Sequence, residues 1–160
     1  MDGVAVAGRR ADRGGEEAMS HENVELVRRV YEGGAEVERL LREGRELTGQ
    51  PWLALWHPEC VIEELADAPD TAAYHGREGV VRYFQLAFTD VWDEWIFTPV
   101  EIVEGTDGVF AAVDNRGRSK AGAELELRMF QVFRIRDRMI MWVRGYLDRQ
   151  QALEAAGVGE

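Results

Sequence analysis

Between residues 57 and 68 the sequence reads HPECVIEELADA, and it sets two carboxylates side by side in a stretch built like a strand. Pro58 bars His57 from helical geometry, and from Glu59 onward the residues alternate. Side chains two apart share one face of a strand. That groups Cys60, Ile62, Glu64 and Ala66 on one side, with Val61, Glu63, Leu65 and Asp67 on the other. Glu63 has an acidic neighbour on its face, whereas Glu64 has apolar ones. An apolar enclosure disfavours a charged carboxylate, and a carboxyl group so placed suits taking and returning a proton near neutral pH. Glu64 is therefore the first candidate for acid–base chemistry. The competing reading is a carboxylate at a strand end, or one paired with an arginine for structural reasons.

Arg144 is the arginine that alternation brings forward. In MWVRGYL it shares a face with Trp142 and Tyr146. A guanidinium between two aromatic rings is a pocket anchor for an anion or carbonyl, or one half of a buried pair. A surface arginine on the far side of the sheet is the alternative, because alternation does not say which face is inner. On the preceding segment Met129, Gln131 and Phe133 share one face, and Arg128, Phe130, Val132 and Arg134 the other. With the first set inward, the pocket is apolar with a single amide, an ordinary make-up for a small-molecule site. Asp114 and Arg116 either add polar groups to it or are solvated near a strand end.

Trp52, Trp56, Tyr74, Phe84 and Trp142 serve as core, as pocket wall, or as both, and such walls suit an apolar or aromatic ring. Metal and cofactor chemistry find little support. His21, His57 and His75 are scattered without paired ligand spacing, so no zinc site is expected. Cys60 and His57 straddle a break, where a buried, inert thiol is the expected outcome. No GxSxG, phosphate-binding glycine loop or dinucleotide fingerprint is present, so any enzyme here is expected to work without a cofactor.

The elements that must position these residues can be read from periodicity and breakers. Residues 1–18, with four glycines and no apolar stripe, are expected to form a flexible tail ahead of a domain spanning 19–160. Met19 offers a second start, and Ser20 suits a helix cap. Val24, Val27 and Tyr31 then fall on one helical face. Gly33-Gly34 weakens that helix, and Val37, Leu40, Leu41 and Leu47 mark a second. Pro51 suits the first turn of a short helix carrying Trp52 and Trp56. After the strand and a loop, APDTAAYHG, the spacing of Val80, Phe84, Ala87, Phe88 and Val91 predicts another helix. Strands follow over 95–103, 109–118, 124–135 and 139–147, separated by GTDG, SKAG and RDR. Asp148 with Gln151 resembles a capping box for a last helix that Gly157 ends. Short turns make these strands antiparallel neighbours, which gives an α+β roll with helices packed on one side of a curved sheet.

Composition bounds the partners. At 160 residues and 46% hydrophobic content the chain fits one globular domain. Its net charge of −11 argues against nucleic acid or an anionic membrane as partner. No apolar run approaches the roughly 20 residues that span a bilayer. With no secretory signal pattern and a single cysteine, a cytoplasmic protein is expected.

Four segments in order, MSHENVELVRRVY, ALWHPECVIEE, YHGREGVVRYF and YLDRQQALEAAG, resemble the SnoaL-like branch of the nuclear transport factor 2-like superfamily, over roughly Met19 to Gly157. The segment GGAEVERLLREGRELTGQ is longer than the family pattern and bears on the pocket entrance. The resemblance implies a cone-shaped antiparallel sheet wrapped around a pocket, with N-terminal helices closing its mouth. It also implies a homodimer through the outer face, expected here between residues 109 and 147. Relatives include polyketide cyclases, ketosteroid isomerases, limonene epoxide hydrolases and dehydratases, besides members without known chemistry, so fold alone does not choose an activity. Carried over by position, the isomerase general base falls on Glu64, the helix-borne tyrosine donor on Tyr31, and the protonated acid of the oxyanion site on Gln131. Glutamine cannot supply that acid, although its amide still donates a hydrogen bond. The expectation is a small-molecule pocket protein for an apolar, aromatic or polyketide-like ligand. Either it catalyses cofactor-free isomerisation, aldol cyclisation or hydration, or it is a non-catalytic ligand-binding or dimerisation module.

Overall fold

The computed structural model describes residues 14–65 and 72–159, with side chains from His21 onward. Helix α1 (Gly14–Glu32) and helix α2 (Gly34–Arg42) meet at Gly33. A single 3-10 turn (Leu53–Leu55) leads into β1 (Trp56–Glu63). Then come β2 (Ala73–His75), α3 (Gly76–Gln85) and a π-helical turn (Leu86–Val91). Strands β3 (Trp92–Glu104), β4 (Val109–Ser119), β5 (Glu124–Arg136) and β6 (Met139–Tyr146) form the meander, and α4 (Arg149–Ala156) closes the chain. This is the expected α+β fold, a curved six-stranded sheet with helices. No described helix is long and apolar enough to cross a membrane.

The sheet order is β2-β1-β6-β5-β4-β3. The four long strands pair antiparallel through short turns, as expected. The β5–β6 turn is the two residues Asp137 and Arg138, both at positive φ (55° and 63°), a mirror-image turn that matches the twist of the flanking strands. Strand β1, by contrast, lies parallel to β6, with Glu63 opposite Arg144.

Several boundaries differ from the sequence reading for identifiable reasons. Helix α1 already runs from Gly14, ahead of the Ser20 cap and inside the expected tail; residues 1–13 lie outside the described residues. Strand β1 starts at Trp56 rather than Glu59. Pro58 is tolerated because β2 pairs only with Val61–Glu63 and the register to β6 is irregular between Trp56 and Val61, so no regular ladder bond is required of it. The stretch read as a loop before α3 contains the three-residue strand β2. Leu47 is buried but lies beyond the end of α2.

Two apolar clusters hold the fold. On the concave side, Val27, Leu41, Trp56, Phe88 and Phe133 belong to one core. On the outer side, Phe110, Phe130 and Val132 pack under Ala152 and Ala156 of α4. Part of the outer face is thus covered from within the chain. Helix α4 is delimited as its sequence implies. The Asp148 side chain accepts a hydrogen bond from the Gln151 N–H at 3.0 Å, and Gly157 takes the left-handed conformation past the last turn (φ 73°).

Candidate functional site

A cavity of about 340 Å³ lies against the concave face of the sheet. Helix α1 contributes Val30 and Tyr31 to its wall, the 3-10 turn is flanked by Trp52 and Trp56, and α3 adds Tyr83 and Phe84. Alternation along the sheet supplies the rest. Trp95 and Phe97 come from β3, Val113 and Asn115 from β4, Met129, Gln131 and Phe133 from β5, and Val143 and Gly145 from β6. Ile62, Glu63, Glu64 and Leu65, at the end of β1, complete it. The structure therefore brings Glu64, Tyr31, Gln131, Trp52, Trp56, Phe84, Met129 and Phe133 to one cavity.

Three expected wall residues are elsewhere. Tyr74, on β2, stands beside the wall, its hydroxyl 3.5 Å from the Glu64 Oε2 and its ring edge-on to Tyr83 at 5.3 Å. Trp142 and Arg144 point to the other side of the sheet, because Val143 and Gly145 hold the inward positions of β6. There the Arg134 guanidinium lies 4.1 Å from the Trp142 ring centre. Arg144 approaches Glu63 at 3.5 Å, not Glu64. The pocket-anchor reading of Arg144 is corrected accordingly. Likewise Asp114 and Arg116 face outward; Asp114 is paired with Arg128 at 2.6 Å, and their neighbour Asn115 is the inward residue.

The polar groups divide into committed and available ones. Asn115, only 6% exposed, accepts a hydrogen bond from the Trp95 indole at 3.0 Å and donates to the Val113 carbonyl at 3.3 Å. Its role is to fix Trp95. The Trp52 indole donates to the Val30 carbonyl at 2.9 Å. Tyr31 donates its hydroxyl proton to Gln131 Oε1. The proton that the family pattern would aim at a substrate oxygen is therefore used within the protein, and the Gln131 NH2 is left as a donor in the cavity wall.

Burial holds the Tyr31 hydroxyl well above its ordinary pKa, with Tyr83 adding to the effect. Burial is also the main reason that Tyr83 is pushed up to about 12, followed by the charge of Glu64 and then Tyr74. Both phenols are thus donors, not bases, at neutral pH. Glu64 is half-buried and carries the carboxylate that this environment senses. Cys60 is fully buried, and burial raises its thiol pKa, as expected for an inert core cysteine.

Tyr83, Trp95, Phe97 and Asn115 are wall residues that the sequence reading did not single out. Tyr83 lies three residues after Val80, a spacing that shares a helix face, and this was the available signal.

The Tyr31–Gln131 bond gives a direct test. Gln131→Leu leaves a buried hydroxyl without its acceptor and is expected to cost about 1 to 3 kcal/mol. Tyr31→Phe removes the donor, and the double variant removes both partners. In denaturant melts the double variant should lose clearly less than the sum of the two single losses. Strict additivity would show that the two groups do not depend on each other.

The sequence matches the SnoaL-like domain family over residues 37–143. Among curated proteins there is no significant match. Among solved structures the chain is similar to an NTF2-like protein of unknown function from Mesorhizobium loti, at 20% identity and a TM-score of 0.61, covering 90% of this chain and 98% of that one. It is also similar to RV0760c from Mycobacterium tuberculosis, solved in complex with estradiol-17beta-hemisuccinate (19% identity, TM-score 0.54, 76% and 95% of the two chains). A third similar structure is a computationally designed 17-OHP binder (20% identity, TM-score 0.60, 79% and 92%). With the sequence match spanning most of the sheet, the chain belongs to the SnoaL-like domain family, and it shares its fold with these NTF2-like structures.

Proposed function

We propose that the chain binds a small, largely apolar ring molecule in the cavity and performs cofactor-free acid–base chemistry on it, with Glu64 moving the proton. The observation that carries this reading is the wall itself. A half-buried carboxylate borders a mostly aromatic and aliphatic cavity, while Gln131 and Tyr83 stand in the same wall as neutral donors. Glu64 would take a proton from the carbon next to a carbonyl. The electrons of the broken C–H bond would pass to the carbonyl oxygen, which the Gln131 NH2 or the Tyr83 O–H would stabilise. Returning the proton to another carbon completes an isomerisation, attack of the enolate on a second carbonyl an aldol cyclisation, and the same groups would serve a hydration.

Tyr31 acts here by holding Gln131 rather than by touching substrate. The molecules named for two of the similar structures, estradiol-17beta-hemisuccinate and 17-OHP, are in keeping with a small-molecule role. A non-catalytic binding module is the second reading, favoured by the commitment of Tyr31 and Asn115 to internal bonds. A homodimer through the part of the outer face that α4 leaves uncovered, in a cytoplasmic setting, completes the proposal; the half-exposed Ile96 supports such a contact.

The ligand site is tested by filling it. Met129→Trp places a large ring where a thioether lines the cavity. Titration calorimetry with 2-tetralone, a neutral fused-ring ketone, should show affinity weakened roughly tenfold or more, with the circular dichroism spectrum retained. Unchanged affinity would place binding outside the cavity.

A further inference from the structure

The charges around the cavity are one-sided. Among the described residues its wall contains Glu63 and Glu64 and no lysine, arginine or histidine. Glu63 is matched by Arg144 at 3.5 Å on the far side of the sheet. Among the described residues no ion pair is formed by Glu64, whose side-chain contact is the Tyr74 hydroxyl at 3.5 Å. A neutral apolar ligand filling the cavity would strip water from this carboxylate without replacing it, which makes its binding weaker than that of a ring of the same size carrying the opposite charge. An anionic ligand would be repelled outright.

The aromatic surroundings point the same way. Tyr83 stands edge-to-face with Tyr74 at 5.3 Å and with Phe84 at 5.0 Å, and Phe84 with Trp52 at 5.3 Å. Aromatic rings lining the same cavity as a carboxylate are a setting in which an organic ammonium is held, its charge against the carboxylate and its apolar body against the rings. The net charge of −11 would also draw cations toward the chain.

We propose that the ligand of this cavity is an organic cation, an apolar ring-sized body bearing a protonated or quaternary amine that sits against Glu64 beside Tyr83. This rests on the cavity being a ligand site, as proposed above, but not on catalysis. A carboxylate paired with an ammonium is also placed to exchange a proton with it or with the carbon beside it.

The test uses three probes with one ring system: 2-naphthylmethylamine, 2-naphthylmethanol and 2-naphthoate, titrated into the full chain at neutral pH and low salt. The amine is expected to bind at least tenfold more tightly than the alcohol, and the naphthoate most weakly. In Glu64→Gln, checked for its fold by circular dichroism, the amine should lose its preference and bind no better than the alcohol, while the alcohol binds at least as well as to the wild type because no charge remains to be dehydrated. Equal binding of amine and alcohol by the wild-type chain overturns the cation inference and leaves the ligand site standing. An amine preference that survives in Glu64→Gln also overturns it, because the preference would then come from the acidic surface. Failure of all three probes to bind overturns the ligand-site reading, and the cation inference with it.

Discussion

Glu64→Gln is expected to abolish proton exchange while leaving the fold as stable as the wild type. The assay needs no knowledge of the natural substrate. In heavy water, the hydrogens next to the carbonyl of 2-tetralone exchange for deuterium when a base removes them, and NMR follows their loss. Wild-type protein should accelerate this exchange, and Glu64→Gln should lower the acceleration by a factor of roughly 10² to 10⁴, the usual worth of a positioned general base. Stability should change by less than about 1 kcal/mol, because Arg144 is paired with Glu63 and the substitution strands no cation. Glu63→Gln is the informative contrast. It removes the partner of Arg144, whose Nε is already buried without a hydrogen bond among the described residues. With both side chains about one-third exposed, water screens the loss, which should be about 1 kcal/mol, and exchange should persist. A Glu64→Gln protein that still exchanges the ketone hydrogens would refute the general-base role. One destabilised by more than about 3 kcal/mol would show that the carboxylate serves as half of an ion pair.

Gly33→Ala is expected to destabilise the protein by about 1 to 3 kcal/mol, because the added Cβ overpacks the junction between α1 and α2. A Cβ at residue 33 would stand 2.3 Å from Trp52 Cδ1 and 3.0 Å from its Nε1. The indole has nowhere to retreat, since it donates to the Val30 carbonyl and packs against Trp56 at 5.6 Å and Phe84 at 5.3 Å. Moving it would disturb the wall of the cavity as well as the helix junction. Denaturant melts give the size of the loss, and the double variant Gly33→Ala/Trp52→Phe should recover part of it by shrinking the ring. A more stable Gly33→Ala protein would mean that the junction yields without strain.

These glycines show what sequence could and could not convey. Gly33-Gly34 was legible as a weak point between helices, but not as a seat for Trp52 and Phe97, because the partners arrive from distant parts of the chain. The inward set Met129, Gln131 and Phe133 was legible because β5 alternates cleanly. On β6 the same alternation grouped Trp142 with Arg144 correctly, yet gave no indication that this set faces outward. The inward positions belong to Val143 and Gly145, and the glycine has no side chain to announce itself. In the helix after β2 the stripe read as far as Val91 fails at its end. The π turn adds a residue per turn and rotates Val91 out to 46% exposure, whereas Ala87 and Phe88 remain buried. Glu64 borders the cavity just past the end of β1, but so do Glu63 and Leu65, which alternation had put on the opposite face, because the chain leaves the strand there; Tyr83 was passed over because it sits beside the most hydrophobic positions of its helix.

The parallel pairing of β1 with β6 governs when the site can come into being. Residues 56–63 find β2 within a dozen residues, but their other neighbour is 139–146. A contact between segments so far apart in the chain forms slowly, because a long loop must close before any pairing compensates for it. During synthesis the β6 side of β1 is left unpaired until residues 139–146 have left the ribosome. The three-residue β2 and the proline at 58 shorten the edge on which a stray strand could settle meanwhile. Glu64, just past the end of that strand, is therefore expected to reach its cavity late in folding.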